Sequence, residues 1–337
     1  MTETEKTPVA IGDVRDELEA ALFEMKRVIV GQEALLERVL VGLLAGGHLL
    51  IEGVPGLAKT LTVKTLADVL GGTFHRIQFT PDLVPSDLVG TRVYRPGTGD
   101  FDVELGPVFC NFLLADEINR APAKVQSALL EVMQERQVTI GAATHAVPDP
   151  FLVLATQNPI EAEGTYPLPE AQVDRFMMKV VVDYPDFGDE LTVVQRSLAV
   201  APELRSVISA DAVRDLQRTA AGVYVDPHVA TYAVTLTLAT RRPAEHGLAD
   251  LERFVAYGAS PRGSINLVHG ARALALLRGR AYALPQDVRD LAKDVLRHRL
   301  VLTYEALADE VTADQILDAL LEAVKVPEID LAREAAA

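Results

Sequence analysis

The sequence has little of what stabilises secreted, metal-binding or thiol-dependent proteins. Its 337 residues include one cysteine, Cys110, and no tryptophan. A single thiol excludes an intramolecular disulfide and a cluster of thiolate metal ligands. Because Cys110 lies in the apolar run VFCNFLLAD, we expect it to be buried and chemically inert.

Long apolar runs and an excess of positive charge are also missing. No stretch approaches the roughly 20 apolar residues of a membrane span, and the opening MTETEKTPVA has no apolar segment of the kind found in signal peptides. We therefore expect a cytoplasmic protein without a membrane span. The 32 basic and 48 acidic residues give a formal net charge of −16, which disfavours a protein built mainly to bind nucleic acid.

The content that is present indicates two domains. Apolar residues make up 49% of the chain, and its length suits two cores of ordinary size. Strand and helix patterns alternate up to residue 185, whereas after it strand patterns disappear and prolines separate four or five helical stretches. We predict a parallel α/β domain over 1–185 and a small all-helical domain over 186–337.

Residues 46–60, GGHLLIEGVPGLAKT, predict a strand, a tight glycine-bearing turn and a helix that begins at Lys59. Backbone N–H groups of such a turn surround a phosphate, Lys59 reaches the outer phosphates and Thr60 offers its hydroxyl to Mg²⁺. Ala58 stands where a phosphate loop usually has glycine. From this stretch alone, a glycine-rich turn without a ligand stays an alternative.

Two carboxylates, Asp116 and Glu117, follow the apolar run Phe112–Ala115. Ligands of open α/β sheets bind where the parallel strands end. Hydrolysis of a nucleoside triphosphate needs one carboxylate to help hold Mg²⁺, which suits Asp116, and one to orient and deprotonate water, which suits Glu117. The alternative is that both acids begin a surface loop or cap the next helix.

Three further polar residues are candidates for the same chemistry. Asn158 ends the strand pattern FLVLATQNP and can offer its amide to a γ-phosphate or to water, or form a turn. Arg175 in EAQVDRF and Arg262 in GASPRGS can stabilise a transferred phosphoryl group, an effect of roughly 10³ to 10⁵ in rate. Each arginine can instead form a surface ion pair.

Two segments predict β-hairpins. Residues 90–106 centre on Pro-Gly-Thr-Gly and are too polar on both faces to be core, and QVTIGAATHAV alternates around Gly141.

Four segments resemble the MoxR family of AAA+ ATPases, in the family's order: GVPGLAKT, LLADEINRAPAKVQSALLEVMQE, VLATQNPIEAEGTYPLPEAQVDRF and GASPRGS. This family commonly writes its phosphate loop GxPGxAKT, which accounts for Ala58. The resemblance covers nearly the whole chain. It implies an α/β P-loop AAA+ core with a parallel sheet, a helix-2 insert and a pre-sensor-1 hairpin, followed by a small all-helical lid.

The resemblance also implies roles for single residues. Glu117 would activate water, and Asn158 would be sensor 1. Arg175 would be the arginine finger that reaches a neighbouring subunit's ATP, and Arg262 would be sensor 2, closing the lid over its own nucleotide. Thr60 and Asp116 would hold Mg²⁺.

VIVGQ looks like the segment that touches adenine. The residues implied to bind the nucleotide are Val30, Gly31, Gly53, Val54, Pro55, Gly56, Leu57, Ala58, Lys59, Thr60, Leu61 and Asp116.

The function implied is Mg²⁺-dependent ATP hydrolysis in a homo-oligomeric ring, usually a hexamer, with both hairpins facing its pore. Such proteins act as chaperone-like remodellers that mature partner complexes, often beside proteins with von Willebrand A domains. The sequence does not identify the client.

Two other classes of function stay open. A nucleic-acid motor or magnesium-chelatase-like subunit shares the helix-2 insert, although the net charge of −16 opposes the motor. A non-hydrolysing nucleotide switch is the other, and Glu117, Asn158 and Arg175 oppose it. A GTPase is disfavoured because no Asn-Lys-x-Asp motif occurs.

Overall fold

The computed structural model describes residues 11–53, 57, 59–97, 99–158, 165–200 and 202–328. Four residues of the predicted phosphate loop, Val54, Pro55, Gly56 and Ala58, lie outside the described residues.

Helices and strands alternate in the first part of the chain, as predicted. Their bounds are α1 (Ile11–Lys26), α2 (Glu33–Leu44), β1 (Leu49–Glu52), α3 (Lys59–Val69), β2 (Phe74–Gln78), α4 (Pro85–Val89), β3 (Gly90–Arg95), β4 (Asp100–Leu105), β5 (Phe112–Asp116), α5 (Ala123–Glu135), β6 (Gln137–Ile140), β7 (Ala143–Ala146), β8 (Leu152–Gln157), α6 (Glu170–Val173) and β9 (Met178–Val181).

The central sheet is parallel and five-stranded, in the order β2-β5-β8-β1-β9. Its inner strands are apolar runs such as FLLAD and LVLATQ, because both faces of the sheet are covered by helices. The register pairs Glu52 with Gln157, and Gln78 with Asp116. Four strands therefore end side by side, and polar residues stand at each of these ends.

Both predicted hairpins are present. In the β3–β4 hairpin, Arg92 pairs with Val103 and Tyr94 with Phe101, so these four side chains share one face. The Arg92 guanidinium lies 4.7 Å from the centre of the Phe101 ring. All four side chains are solvent-accessible, so the hairpin is not core, as predicted, although one of its faces is less polar than the sequence suggests. The alternation of side chains along the paired strands places Tyr94, Phe101 and Val103 together on that face.

The second part of the chain is mainly helical, as predicted. Its elements are α7 (Phe187–Ser197), α8 (Ala210–Ala221), β10 (Tyr224–Val225), α9 (Pro227–Ala239), β11 (Val255–Tyr257), α10 (Pro261–Leu277), β12 (Tyr282–Ala283), α11 (Pro285–Leu296), β13 (Val301–Leu302), α12 (Tyr304–Ala308) and α13 (Ala313–Ala323).

The all-helical description of this part needs one correction. Strands β10 and β12 pair in parallel, and β11 and β13 pair antiparallel. Strands of two or three residues are too short to show an alternating pattern, so the sequence does not reveal them. Five of the lid's helices begin at side-chain caps. The oxygens of Ser209, Asp226, Ser260, Thr303 and Thr312 accept hydrogen bonds from N–H groups in the first turns of α8, α9, α10, α12 and α13.

One hydrophobic core joins the two parts, since α1 and α2 pack with one face of the sheet and with α8 to α11. A second core lies on the other face of the sheet, under α5 and the β6–β7 hairpin. The division at residue 185 remains a prediction; it falls between β9 and α7.

Cys110 is buried in the second core, and burial raises the pKa of its thiol to about 12. The prediction of a buried thiol is confirmed. Among the described residues, no helix is both long and apolar enough to cross a membrane.

Candidate active site

A cleft of about 410 Å³ opens where β1, β2, β5 and β8 end. Most of its lining was predicted from the sequence, and four residues, Arg76, Gln78, Thr156 and Gln157, were not. The lining residues are Gly53, Leu57, Lys59, Thr60, Leu61, Arg76, Gln78, Asp116, Glu117, Thr156, Gln157 and Asn158.

Lys59 stands at the first residue of α3, a helix of 11 residues. Its ammonium donates a hydrogen bond to the Gly53 carbonyl. Burial lowers the pKa of this ammonium, while the negative charges of Asp116, Glu117 and Glu52 act to raise it. The helix N-terminus leaves N–H groups without helical partners, so this end of the cleft attracts an anion.

Gly53 cannot carry a side chain without displacing backbone. A Cβ built there would lie 2.5 Å from the carbonyl oxygen of Val182. The close approach joins the start of the phosphate loop to the segment that leaves β9.

Asp116 is fixed by two neighbouring strands. One carboxylate oxygen accepts from the Thr156 hydroxyl at 2.5 Å, and the other accepts from Nε and a terminal nitrogen of Arg76 at 3.1 and 2.7 Å. Thr156 is buried on β8. The carboxylate is therefore held at the edge of the sheet in one orientation.

Glu117 has a left-handed backbone, with φ 55° and ψ 51°. Its N–H donates to the Thr156 hydroxyl at 2.8 Å, so one threonine positions both acids. The carboxylate accepts from the Gln78 amide at 2.8 Å and lies 3.0 Å from Nε of Arg120. Non-glycine residues in this backbone region are uncommon and occur at functional sites.

Asn158 follows β8 directly and is buried at the cleft wall. Strand β8 lies between β5, which ends at Asp116, and β1, which precedes the phosphate loop. Asn158 thus follows the strand between these two, and it lines the same cleft as Lys59, Asp116 and Glu117.

Val30 and Gly31 are not among the described lining residues of this cleft. A Cβ built at Gly31, where φ is 69°, would lie 2.6 Å from the Asp189 carboxylate at the start of α7. The neighbouring Gln32 amide donates to the carbonyl of Asp183 at 3.4 Å. The predicted adenine segment and α7 are therefore in contact.

Arg175 and Arg262 are also outside the described lining of the cleft. Arg175 is exposed just after α6, and Arg262 lies in the first turn of α10. A terminal nitrogen of Arg262 is 3.3 Å from a carboxylate oxygen of Asp174. The two predicted arginines are thus neighbours, through the residue that precedes Arg175.

Asp174 has further partners in the lid. Its carboxylate accepts from the Ser260 hydroxyl at 2.9 Å and from Nε of Arg299 at 2.9 Å. Arg299 is buried and also donates to the carbonyls of Phe176 and Met177. Burial lowers the pKa of the Arg299 guanidinium to about 10, although the charge of Asp174 opposes this shift. This carboxylate therefore links the lid to the backbone around Arg175.

The donors in the cleft fit a nucleoside triphosphate with Mg²⁺. A lysine and a helix N-terminus suit phosphates, while the Thr60 hydroxyl and the Asp116 carboxylate are hard oxygen ligands of the kind that Mg²⁺ prefers. The described residues contain no cluster of three or more His, Cys, Asp or Glu side chains able to hold a metal. Mg²⁺ is commonly held by one or two protein ligands together with substrate phosphates.

Comparisons with known proteins also indicate an ATPase. The family model for the ATPase family associated with various cellular activities (AAA) matches residues 48–178, and that for the AAA lid domain matches residues 249–320. A crystal structure of a protein from Cytophaga hutchinsonii superposes with a TM-score of 0.89 at 48% identity, covering 94% of this chain and 97% of that chain.

Similar proteins include some that carry the MoxR name. The chain is 57% identical to Chaperone MoxR1 of Mycobacterium tuberculosis over 93% of this chain and 83% of the relative. It is 34% identical to Protein MoxR of Paracoccus denitrificans over 89% of this chain and 93% of the relative. With this similarity along nearly its whole length, and with the core and lid matched in order, the chain belongs to the MoxR family of AAA+ ATPases.

Proposed function

We propose that this protein hydrolyses ATP with Mg²⁺ and uses the reaction for chaperone-like remodelling or maturation of a partner protein complex. The observation that carries the proposal is the meeting of Lys59, Thr60, Asp116 and Glu117 in one cleft at the strand ends. Membership of an ATPase family supports the reaction, and the name of the mycobacterial relative supports the chaperone-like role.

Binding of the triphosphate would fall to Lys59 and the N-terminus of α3, with the loop from Gly53 to Ala58. Thr60 and Asp116 would hold Mg²⁺, which neutralises negative charge on the phosphates when bound. Thr156 keeps the Asp116 carboxylate turned toward this position, because its hydroxyl binds one of the two carboxylate oxygens.

Glu117 would accept the proton of the attacking water. The Gln78 amide and Arg120 bind its carboxylate and limit its orientations. Asn158 would offer amide hydrogens to the γ-phosphate or to the same water from the adjacent strand.

Arg175 would stabilise the transferred phosphoryl group of a neighbouring subunit. It is exposed and does not line the described cleft of its own chain, which supports action across an interface in a homo-oligomeric ring, for which we propose a hexamer. Arg262 as sensor 2 would have to leave Asp174 before it could close over the nucleotide of its own chain.

The nucleic-acid motor gains no support from the helix-2 insert. Arg95 forms an ion pair with Asp102, and Arg92 lies over the Phe101 ring, so both basic side chains already have partners. We propose instead that this chain acts in the cytoplasm on a protein client, together with a partner protein that has a von Willebrand A domain.

The test of the reaction compares Lys59→Ala with Glu117→Gln. Lys59→Ala removes the phosphate-facing ammonium and should abolish tight ATP binding, measured by calorimetry. Glu117→Gln should bind ATP and release no phosphate. Lys64→Ala, an exposed lysine on the same helix, is the control and should behave as wild type. Full hydrolysis by Glu117→Gln would contradict the assigned role. A pull-down with Glu117→Gln in ATP should then retain the client.

A further inference from the structure

We propose that Arg76 competes with Mg²⁺ for the carboxylate of Asp116, and that this competition sets how strongly nucleotide binding depends on the metal. The proposal rests on the proposed function, in which Asp116 helps to hold Mg²⁺ on a bound triphosphate. It gives a role to an arginine that the sequence did not indicate.

Arg76 lies on β2, the edge strand of the central sheet, and its side chain lines the cleft. In the register of β2 and β5, Arg76 is opposite Leu114, so its side chain extends two residues along β5 to meet Asp116. Gln78 follows on the same side of β2 and accepts a hydrogen bond from a terminal nitrogen of Arg76 at 2.9 Å. The guanidinium therefore stands among the polar groups at the strand ends.

The Asp116 carboxylate has partners on both of its oxygens. Oδ1 accepts from the Thr156 hydroxyl at 2.5 Å, and Oδ2 accepts from Nε and a terminal nitrogen of Arg76 at 3.1 and 2.7 Å. A carboxylate oxygen has two lone pairs, so the two donors of Arg76 take the capacity of Oδ2. For Mg²⁺, or for a water molecule bound to it, to reach this oxygen, the guanidinium would have to move away.

Charge also sets the two cations against each other. The guanidinium and Mg²⁺ are both positive, so each opposes the binding of the other at one carboxylate. The Arg76 side chain is 47% exposed, whereas that of Asp116 is 16% exposed. The arginine can thus move into solvent while Thr156 still binds the carboxylate.

Loss of the Arg76 charge should change nucleotide binding in opposite directions with and without Mg²⁺. Without the metal, Arg76 neutralises Asp116, so its loss would expose the triphosphate to a negative charge and weaken binding. With the metal, the same loss frees the carboxylate for Mg²⁺ and should strengthen binding. A residue that only maintained the shape of the cleft would weaken binding in both conditions when it is replaced.

The experiment uses calorimetry to measure the dissociation constant of the non-hydrolysable analogue AMP-PNP, once with excess Mg²⁺ and once with EDTA. In Arg76→Gln, the affinity should rise roughly fivefold with Mg²⁺ and fall roughly fivefold with EDTA, the upper end of the range for ion pairs near a surface. Arg76→Lys keeps the positive charge, so its affinity with EDTA should stay close to that of wild type.

Arg95→Gln is the matched control. Arg95 forms an ion pair with Asp102 across the β3–β4 hairpin and is not among the described lining residues of the cleft, so its replacement should change neither affinity. In an Asp116→Asn background, Arg76→Gln should no longer strengthen binding with Mg²⁺, because the carboxylate for which the two cations compete has been removed. Circular dichroism verifies that each variant is folded.

Two results would overturn the proposal: an Arg76→Gln variant whose affinity is unchanged or weaker in both conditions, or a gain of affinity with Mg²⁺ that persists in the Asp116→Asn background. The measurement needs no turnover. Opposite shifts in a protein that never hydrolyses ATP would leave the role of Arg76 standing and reject the proposed reaction instead.

Discussion

The candidate site residues fall into two regions that are held in different ways. In the cleft, Asp116 and Glu117 are fixed from an adjacent buried strand through Thr156. On the arginine side, Arg175 and Arg262 are exposed, and Arg262 contacts the core through the carboxylate of Asp174. The acids of the cleft are thus held in fixed positions, whereas the arginine side presents exposed guanidinium groups to solvent. The difference is consistent with the proposal that an assembly combines the cleft of one chain with Arg175 of another.

Arg175→Ala should give the largest effect. The rate of hydrolysis should fall by roughly 10³- to 10⁵-fold, because the negative charge on the transferred phosphoryl group would no longer be stabilised in the transition state. ATP affinity should stay unchanged, since the described cleft does not include this side chain. Phosphate release and calorimetry measure the two quantities, and Arg218→Ala, at an exposed arginine of α8, is the control.

Mixing Arg175→Ala with Glu117→Gln should restore part of the activity, because one chain supplies the intact cleft and the other supplies the arginine. If no mixing ratio restored hydrolysis, the two regions would have to act within one chain, and the comparison would fail.

Asp174→Ala should destabilise the arginine side by roughly 3 to 5 kcal/mol, because Arg299 would be left buried without its carboxylate. Arg262→Ala breaks a more exposed pair with the same carboxylate and should change the free energy of unfolding by about 1 kcal/mol or less. Urea unfolding of both variants measures the difference. Equal losses in the free energy of unfolding would mean that the exposed Arg262–Asp174 pair, and not the buried Arg299–Asp174 pair, holds the lid.

Thr156→Val should lower turnover by roughly 10- to 100-fold, the effect expected from losing a hydrogen bond to a charged group. The substitution keeps the shape of the side chain and removes the hydroxyl that positions both acids. The turnover number should fall, while ATP affinity should hold. Thr231→Val, at an exposed threonine of α9, is the control. Unchanged turnover would show that the acids need no such support.

Acid should weaken the protein through two histidines, His48 buried just before β1 and His298 half-buried on the arginine side. His48, next to β1, has its pKa lowered to about 3 by burial, and burial also lowers the pKa of His298, which bonds to the Phe176 carbonyl on the arginine side. Below about pH 6.5 each of these histidines binds a proton in the unfolded chain but not in the folded chain. The free energy of unfolding therefore decreases as the pH is lowered.

For His48 this loss should reach about 2 kcal/mol between pH 6.5 and pH 5. His48→Gln and His298→Gln should each flatten the dependence, as urea unfolding at several pH values would measure. An unchanged slope in His48→Gln would show that protonation of the arginine side, and not of the sheet beneath the cleft, controls acid sensitivity.

Much of the fold was predictable because its signals are local. The strand before the loop and the helix from Lys59 follow from short runs of residues, and both hairpins follow from alternation around glycines. The lid strands were not predicted because two or three residues are too few to show the alternation of apolar and polar residues that is typical of a strand. The apolar face of the β3–β4 hairpin appears only when Tyr94 is paired with Phe101.

The sequence predicted the acids and the lysine of the cleft, but not the residues that hydrogen-bond to the acids. Arg76 and Thr156 contact Asp116 only because β2, β5 and β8 are neighbours in one register, and no local pattern encodes that register. Likewise, the contact of Arg262 with Asp174 depends on how the lid packs against the core.

The sequence by itself determined the family, the alternation of strands and helices, and the chemical groups available for binding a triphosphate, because these depend on residue type and spacing along the chain. The tertiary structure decided which groups share the cleft and that neither Arg175 nor Arg262 is among its described lining residues. These properties depend on contacts between residues that are far apart in the sequence, and such contacts exist only once the sheet and lid have packed.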